Sequence, residues 1–308
     1  AQYPTGMIGY ILYTGLKFIH WKSGMTTLRY LLAGGVLAFA GWAQAGAGKL
    51  QETAGVTQVE GSGGGGLVPW ATLSGYDTRD EWSSSVFMTR VSLPDYRLQV
   101  FGASASIYDR LELSLARQTF ELKNVPFGER EINQRILGLK ARVMGDIVYG
   151  NWPQMAVGVQ YKELENDAIA SAIGAQDTDH GTDLYLAVSK AHLGVLWGYN
   201  LVWDLTLRAT KANQFGLLGY GGDNNDSHEV MAEAAVAALL SRQLAIGFEY
   251  RQKPDNLSAL EEEDAHDVFV AYLPNKQFNI TFAWADLGII AGEDNQSGAY
   301  VSLTGYLW

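Results

Sequence analysis

The chain has 308 residues, a formal net charge of −11 at pH 7 and no cysteine. The acidic balance argues against nucleic acid as a partner, since a polyanion is repelled by a negative surface. The absence of cysteine excludes disulfide bridges, thiolate nucleophiles and thiolate metal sites. No run of eighteen or more apolar residues occurs, so no helical membrane span is predicted.

Residues 25–45 have the order of features that marks a secretory signal peptide. Arg29 precedes a short apolar run over residues 30–40, and the Ala-Gln-Ala sequence at 43–45 provides a cleavage site. An uncleaved helical anchor is the alternative, but the apolar run is shorter than the ~20 residues needed to span a bilayer. Residues 1–24 precede this complete leader, and we expect them to be an upstream extension outside the fold.

Residues 46–308 are predicted to form one all-β domain, because short alternating segments recur between clusters of Gly, Asp, Asn and Pro. About fourteen antiparallel strands are predicted. They span residues 50–60, 67–76, 84–92, 96–106, 109–120, 134–144, 153–162, 181–190, 200–211, 228–240, 243–252, 265–273, 277–286 and 298–308.

From residue 121 onward, long polar connections alternate with short ones, which is typical of outer-membrane β-barrels with short periplasmic turns and long outer loops. Both ends of such a barrel lie in the periplasm only when the strand number is even. The prediction is therefore a transmembrane barrel of fourteen strands. Twelve strands with an N-terminal segment in the lumen is the alternative, if the 50–60 segment and one more of the early predicted strands are wrong.

Period-two alternation assigns the faces of the strands. In the stretch QLAIGFEYRQ at 243–252, Leu244, Ile246, Phe248 and Tyr250 share one face, which we assign to lipid. Pairing this strand with 228–240 through a three-residue turn places Glu233 opposite Arg251. A slip of two residues would oppose Glu233 to Glu249, and like charges directly across a ladder are destabilising. We predict the first register.

Aromatic residues are expected near the ends of the strands, where they anchor a barrel at the membrane interface. Trp152, Trp197 and Trp308 are the candidates on the side of the short turns. The final segment also contains Tyr300 and Tyr306, but its two faces are about equally apolar, so its orientation stays open.

Four stretches, at 55–80, 93–120, 207–227 and 249–276, resemble an uncharacterised family of proteobacterial outer-membrane β-barrel proteins. The likeness covers nearly all of residues 46–308. It implies a location in the bacterial outer membrane, and it brings no catalytic residue or cofactor to this sequence.

Charged residues on the polar faces of the predicted strands are candidates to line the lumen of the barrel. These residues are Lys140, Arg142, Asp204, Arg208, Glu233, Glu249 and Arg251. Opposite charges across a pore select permeants, so this set favours a channel or transporter for a small solute. The alternative is that the charges pair with one another and fill a closed interior, as in a structural or adhesive barrel.

Three other motifs carry weaker hypotheses. The acidic stretches 223–226 and 261–264 offer oxygen ligands for calcium but lack an EF-hand spacing, so no metal site is predicted. A hydrolase built on His180 is the least favoured function, because no G-x-S-x-G motif accompanies it. The glycine-rich stretch 61–66 lacks the Lys-Ser/Thr of a P-loop, and we interpret it as a hairpin loop or a stretch inside the lumen.

The sequence therefore predicts a non-enzymatic outer-membrane barrel without a cofactor. Its expected partners are outer-membrane lipid and lipopolysaccharide, a small-molecule permeant, and the barrel-assembly machinery during insertion.

Overall fold

The computed structural model describes residues 49–123 and 130–307 of the chain. Within these residues, twelve antiparallel strands form a closed barrel in which each strand pairs with its neighbours in sequence and the last strand pairs with the first. The strands of the barrel are β3 (Trp82–Ser92), β4 (Tyr96–Ile107), β5 (Leu111–Leu122), β6 (Glu131–Met144), β7 (Gln154–Leu164), β8 (His180–Leu196), β9 (Tyr199–Thr210), β10 (Glu229–Leu239), β11 (Leu244–Arg251), β12 (Ala265–Tyr272), β13 (Phe278–Asp286) and β14 (Ser297–Leu307).

The prediction of fourteen barrel strands is wrong by two, and the alternative of twelve is confirmed. Residues 50–60 and 67–76, which were predicted as strands of the barrel, do not join its wall, and from residue 54 onward they lie inside it. The only strand found in them is the two-residue β1 (Val56–Thr57), which pairs with β2 (Gly63–Gly64) in the stretch between them. The physical reason is that much of this backbone bonds to side chains of the wall rather than to a neighbouring strand.

The outer surface of the barrel is apolar, as the alternation predicted. In β11, Ile246 is 40% and Phe248 is 41% exposed, whereas Glu249 and Arg251 are buried in the interior. The predicted hairpin register is confirmed, because Glu233 of β10 is the direct ladder partner of Arg251. One face of each strand therefore meets lipid and the other meets the lumen.

The two ends of the barrel differ in the length of their connections. The end with the short turns is the periplasmic end of such barrels, and the longer loops lie at the outer end. Trp152 and Trp197 are exposed in the short turns, where aromatic anchors were expected, while Trp308 lies outside the described residues. In the final strand, Tyr300 and Tyr306 face the interior and Val301 faces outward.

Helical structure is confined to short segments in the described part of the chain. The only α-helix found there is α1 (Ala168–Ala172), in the loop between β7 and β8. Within those residues, no helix combines the length and the hydropathy needed to cross a membrane. The predicted signal peptide at 25–45 and the upstream extension at 1–24 lie outside the described residues.

Candidate functional site in the barrel lumen

The lumen is occupied by the N-terminal part of the domain. We name residues 54–77 the lumenal segment, in which every residue from 56 to 77 is buried. It contacts the wall around most of the circumference. The wall residues that bond to it include Gln118 of β5, Lys140 of β6, Gln154 of β7, Ser189 of β8, Thr206 of β9, Glu249 of β11, Asn279 of β13 and Thr304 of β14.

The lumenal segment begins and ends beside the same wall residue. The Tyr306 hydroxyl lies 3.4 Å from the carbonyl oxygen of Gly55, and the Tyr306 ring packs edge-on against Tyr76 with centroids 4.9 Å apart. Tyr306 is near the end of β14, at the periplasmic side of the barrel. The segment is therefore a loop that enters and leaves the lumen at the periplasmic end.

Lys140 and Glu112 satisfy the backbone of the segment at one side. The Lys140 ammonium donates to the carbonyl oxygens of Gly63 at 2.7 Å and Thr72 at 2.6 Å, and it lies 3.3 Å from the Glu112 carboxylate. Glu112 in turn accepts the backbone N–H of Gly63 at 3.0 Å and of Ser74 at 2.6 Å. Buried backbone groups without a ladder partner need such bonds, because an unsatisfied group is costly away from water.

A network of six buried charges joins the segment to five strands. Glu60 of the lumenal segment pairs with Lys162 of β7 and Arg208 of β9, and its carboxylate lies 2.8 Å from the guanidinium of Arg251 of β11. The other members are Asp183 of β8, 2.7 Å from Lys162 and 3.2 Å from Arg208, and Glu233 of β10, which pairs with both arginines. Three acids and three bases are thus brought together in the interior.

Glu249 contacts the lumenal segment on the side opposite Lys140. The groups that donate hydrogen bonds to its carboxylate are uncharged. Its Oε2 accepts the backbone N–H of Gly66 at 2.7 Å and of Leu67 at 2.8 Å, and its Oε1 accepts the indole N–H of Trp70 at 3.1 Å. A Cβ added to Gly65 would lie 1.6 Å from the same Oε1, so a larger residue at that position would have to displace the Glu249 carboxylate. The glycine-rich stretch 61–66 is therefore a lumenal stretch, one of its two interpretations.

Asp204 and Arg142 make their contacts at other depths of the barrel lumen. Asp204 accepts bonds from Ser189, from Thr206 at 2.9 Å and from the N–H of Ala71 at 3.2 Å. Arg142 lies at the periplasmic end, where it pairs with Asp109 and lies 3.3 Å from Asp146.

Asp146, which lies in the turn between β6 and β7, stays ionised. Partial burial alone would raise the pKa of Asp146, but the N–H groups of Tyr149 and Val148 and the Arg142 guanidinium lower it, and the net pKa lies below its ordinary value.

A loop closes the outer end of the lumen. Residues 212–222, between β9 and β10, are all buried. The Phe215 ring lies 4.3 Å from the Arg251 guanidinium carbon, and the N–H of Gln214 donates to Glu262 at 2.8 Å. Glu262 also lies 2.8 Å from the Lys253 ammonium. Burial raises the pKa of Glu262, and the neighbouring Lys253 only partly opposes this effect.

Two adjacent cavities remain between the lumenal segment and the periplasmic end of the wall. One is an apolar space of about 80 Å³, lined by small side chains that include Val202, Ala237 and Ala271. The other measures about 200 Å³ and is lined by charged residues that include Lys49 and Arg142. The periplasmic end is therefore less completely filled than the centre of the barrel.

All seven sequence-derived candidates lie on the lumenal side of the wall or at its periplasmic mouth. Six of them are buried, and Arg142 is partly exposed. Their role in lining a solute path remains a prediction. The sequence reasoning missed Glu112, Lys162 and Asp183, although the same period-two alternation places them on inward faces. No local signal identified Glu60 as the centre of the charge network.

The remaining motifs do not form a second site. His180 is exposed at the outer end of β8, where its Nδ1 lies 2.9 Å from Asp179 and its ring lies beside Tyr161. Neither contact supplies the nucleophile that a hydrolase requires. Across residues 49–123 and 130–307, no group of three or more His, Cys, Asp or Glu side chains is arranged to hold a metal ion.

Replacing Lys140 by methionine should destabilise the protein by about 3–5 kcal/mol, because the buried Glu112 carboxylate would lose its cation. Three backbone carbonyl groups of the lumenal segment would also lose a donor. The change is measured as a shift of the midpoint of urea unfolding in detergent. Arg135→Met is the matched control, since Arg135 is exposed on the outer surface and its loss should change stability by about 0.5 kcal/mol or less.

A closed antiparallel barrel with an apolar exterior and a charged interior defines an outer-membrane β-barrel protein, and the protein is located in the bacterial outer membrane. More particularly, the chain belongs to the family described as "Protein of unknown function (DUF3034)", which it matches over residues 53–304. No curated protein matches the chain significantly.

Several solved barrel structures are similar to this chain at low identity. The KdgM porin in complex with disordered oligogalacturonate is 10% identical with a TM-score of 0.46, over 72% of this chain and 98% of that one. An outer membrane channel, COG4313, from Pseudomonas putida F1 is 13% identical with a TM-score of 0.41, over 73% and 94%. The outer membrane phospholipase A from Escherichia coli is 8% identical with a TM-score of 0.37, over 73% and 92%.

Proposed function

We propose that the protein is a gated channel for a small hydrophilic solute and that the lumenal segment is its gate. The observation that carries this proposal is that the obstruction of the lumen is a loop separate from the wall. The loop enters and leaves beside Tyr306, and it shares no ladder with the barrel. It can therefore leave the lumen without breaking the barrel ladder.

The contacts of the segment support a reversible closure. Hydrogen bonds and ion pairs of Lys140, Glu249 and the network around Glu60 hold it in place. Water can replace such polar partners when the segment moves, because the wall that it would leave behind is itself polar. The cavities at the periplasmic end leave room for the first displacement. The outer loop 212–222 would have to move as well for a solute to pass.

A second candidate is a structural barrel that never conducts. The observation in its favour is that the six central charges are balanced, three acids against three bases, and connect the segment to β7, β8, β9, β10 and β11. A hydrolase is the least supported function, since the exposed His180 has Asp179 and Tyr161 as its contacts. In either leading case, we expect the apolar belt to contact outer-membrane lipid and lipopolysaccharide, and the assembly machinery to insert the barrel.

A disulfide that locks the segment tests the gate. The Oγ1 atoms of Thr57 in the segment and Thr304 in β14 are 3.1 Å apart, so cysteines at both positions are within bridging distance. The chain contains no other cysteine. In planar bilayers, we expect the reduced T57C/T304C protein to show discrete openings and the oxidised protein to lose them.

The single variant T304C, treated with the same oxidant, is the control and should keep its openings. Openings that are unchanged in the oxidised double variant would rule out the segment as the gate. Silence of a folded barrel in both redox states would favour the structural alternative.

A further inference from the structure

Two buried carboxylates face each other across the ladder on the lumenal side of the wall. Glu249 of β11 and Asp267 of β12 are direct ladder partners, and they are 0% and 1% exposed. Like charges in this position repel each other. Neither carboxylate oxygen of Asp267 has a hydrogen-bond partner among the described residues. An ionised carboxylate that is buried without a partner is strongly disfavoured, so this arrangement needs either a proton or a bound cation to balance it.

The basic side chains nearby are committed elsewhere. Arg251, which follows Glu249 on the same face of β11, is bound to Glu60 and Glu233. Lys140 is bound to Glu112 on the other side of the lumenal segment. The hydrogen bonds that Glu249 accepts come from uncharged N–H groups. The pair of acids is therefore uncompensated by the protein's own cations.

The oxygen atoms around this pair suit a hard cation. Both oxygens of Asp267 are free, and Oε1 of Glu249, which accepts the Trp70 indole N–H, keeps lone-pair capacity, whereas Oε2 already accepts two backbone N–H groups. The Tyr300 hydroxyl borders the same space, since a Cβ added to Gly66 would lie 3.2 Å from that hydroxyl and 3.4 Å from Glu249 Oε2. These donors are all oxygens, which calcium accepts in flexible geometries that include bidentate carboxylates.

We propose that Glu249 and Asp267 bind a divalent cation, with Ca²⁺ as the best match, inside the barrel wall. The two positive charges of the ion balance the two carboxylates. Asp267 supplies its two free oxygens, Glu249 supplies one, and water completes the coordination. Because Glu249 also holds the backbone of Gly66 and Leu67, the ion fixes one anchor of the lumenal segment. This inference goes beyond the proposed function, because the site exists whether or not the barrel conducts.

The site is tested by thermal unfolding of the full-length protein, purified from outer membranes in detergent and stripped with EDTA. Adding CaCl₂ to about 100 times its Kd should raise the midpoint by about 5 °C. The variant D267N should lose this rise. The matched control is D204N, in which another buried lumenal aspartate changes while the pair is intact, and it should respond like the wild type. No response of the wild type to calcium would overturn the proposal, and so would an equal rise in D267N, which would assign the binding to the exposed acidic loops.

Terbium luminescence provides a second measurement that does not depend on the folding of D267N. Tb³⁺ replaces Ca²⁺ at oxygen sites, and the Trp70 indole lies 3.1 Å from Glu249 Oε1, close enough to sensitise its emission. We expect W70F to lose most of the sensitised emission and W197F, which changes an exposed tryptophan of a periplasmic turn, to keep it. Equal emission from both variants would contradict the assigned position of the ion.

Discussion

Glu60→Gln should be among the most destabilising single substitutions in the protein, lowering the free energy of unfolding by about 3–5 kcal/mol. The glutamine keeps the shape of the side chain but removes its charge. Lys162, Arg208 and Arg251 would then face two acids instead of three, in a part of the lumen where all of them are buried. Breaking a buried ion network on one side leaves a charge without compensation, and that charge cannot be hydrated while the lumenal segment stays in place.

The effect of Glu60→Gln is measured as the shift of the urea midpoint, with barrel integrity followed by the heat-dependent mobility of the protein on gels. Glu229→Gln is the control, since Glu229 is exposed at the start of β10 and should change stability by about 0.5 kcal/mol or less. Adding Lys162→Met to Glu60→Gln restores the charge balance, so the double variant should lose less stability than the two single changes summed. A Glu60→Gln protein as stable as the control would show that the network does not hold the segment.

Removing the lumenal segment should convert the barrel from a closed to a conducting form. Gly55 and Tyr76 both contact Tyr306, so a short Gly-Ser linker in place of residues 56–75 can join the ends without straining the wall. Water would then reach the inward faces of the strands, which are rich in charged and hydroxyl side chains such as Arg208 and Thr206. We expect sustained stepwise currents in planar bilayers from the deletion variant, whereas the intact protein should show brief, discrete openings from a mostly closed state.

The control for the deletion is a scrambled segment of equal length, which tests whether bulk alone closes the lumen. A folded deletion variant that stays silent would contradict the gating role of residues 54–77. Closure would then be assigned to the inward loop at 212–222, and an additional deletion of that loop would decide between a channel and a structural barrel.

The period-two pattern of the strands was sufficient to predict the wall. In β11 the alternation of Ile246 and Phe248 with Glu249 and Arg251 assigned each residue to lipid or lumen, because a slip of one residue would put charges into hydrocarbon. The register of Glu233 against Arg251 followed from charge pairing across the hairpin, and it is correct. The local pattern is informative here because one face of each strand contacts lipid and the other faces the polar lumen.

The same pattern failed for residues 50–60 and 67–76. Their alternation resembles that of a wall strand, but their backbone groups are satisfied by Lys140, Glu112 and Glu249, which lie far away in the sequence. A strand and a lumenal loop both need hydrogen-bond partners for their buried backbone groups. The local sequence pattern does not indicate which residues supply these partners. The early strand count was therefore wrong, while the even number required by the position of the termini was right.

The sequence by itself determined that this is a membrane barrel, where its wall strands lie and which face of strands such as β11 points inward, because these properties depend on neighbours two residues apart. Only the tertiary structure decided that the lumen is closed and which charges bind one another. Glu60, Lys162, Arg208 and Arg251 come from separate parts of the chain and meet only when the barrel closes around the lumenal segment. Because these charges are buried, each one needs a partner of opposite charge, and the closed fold determines which residue lies beside it.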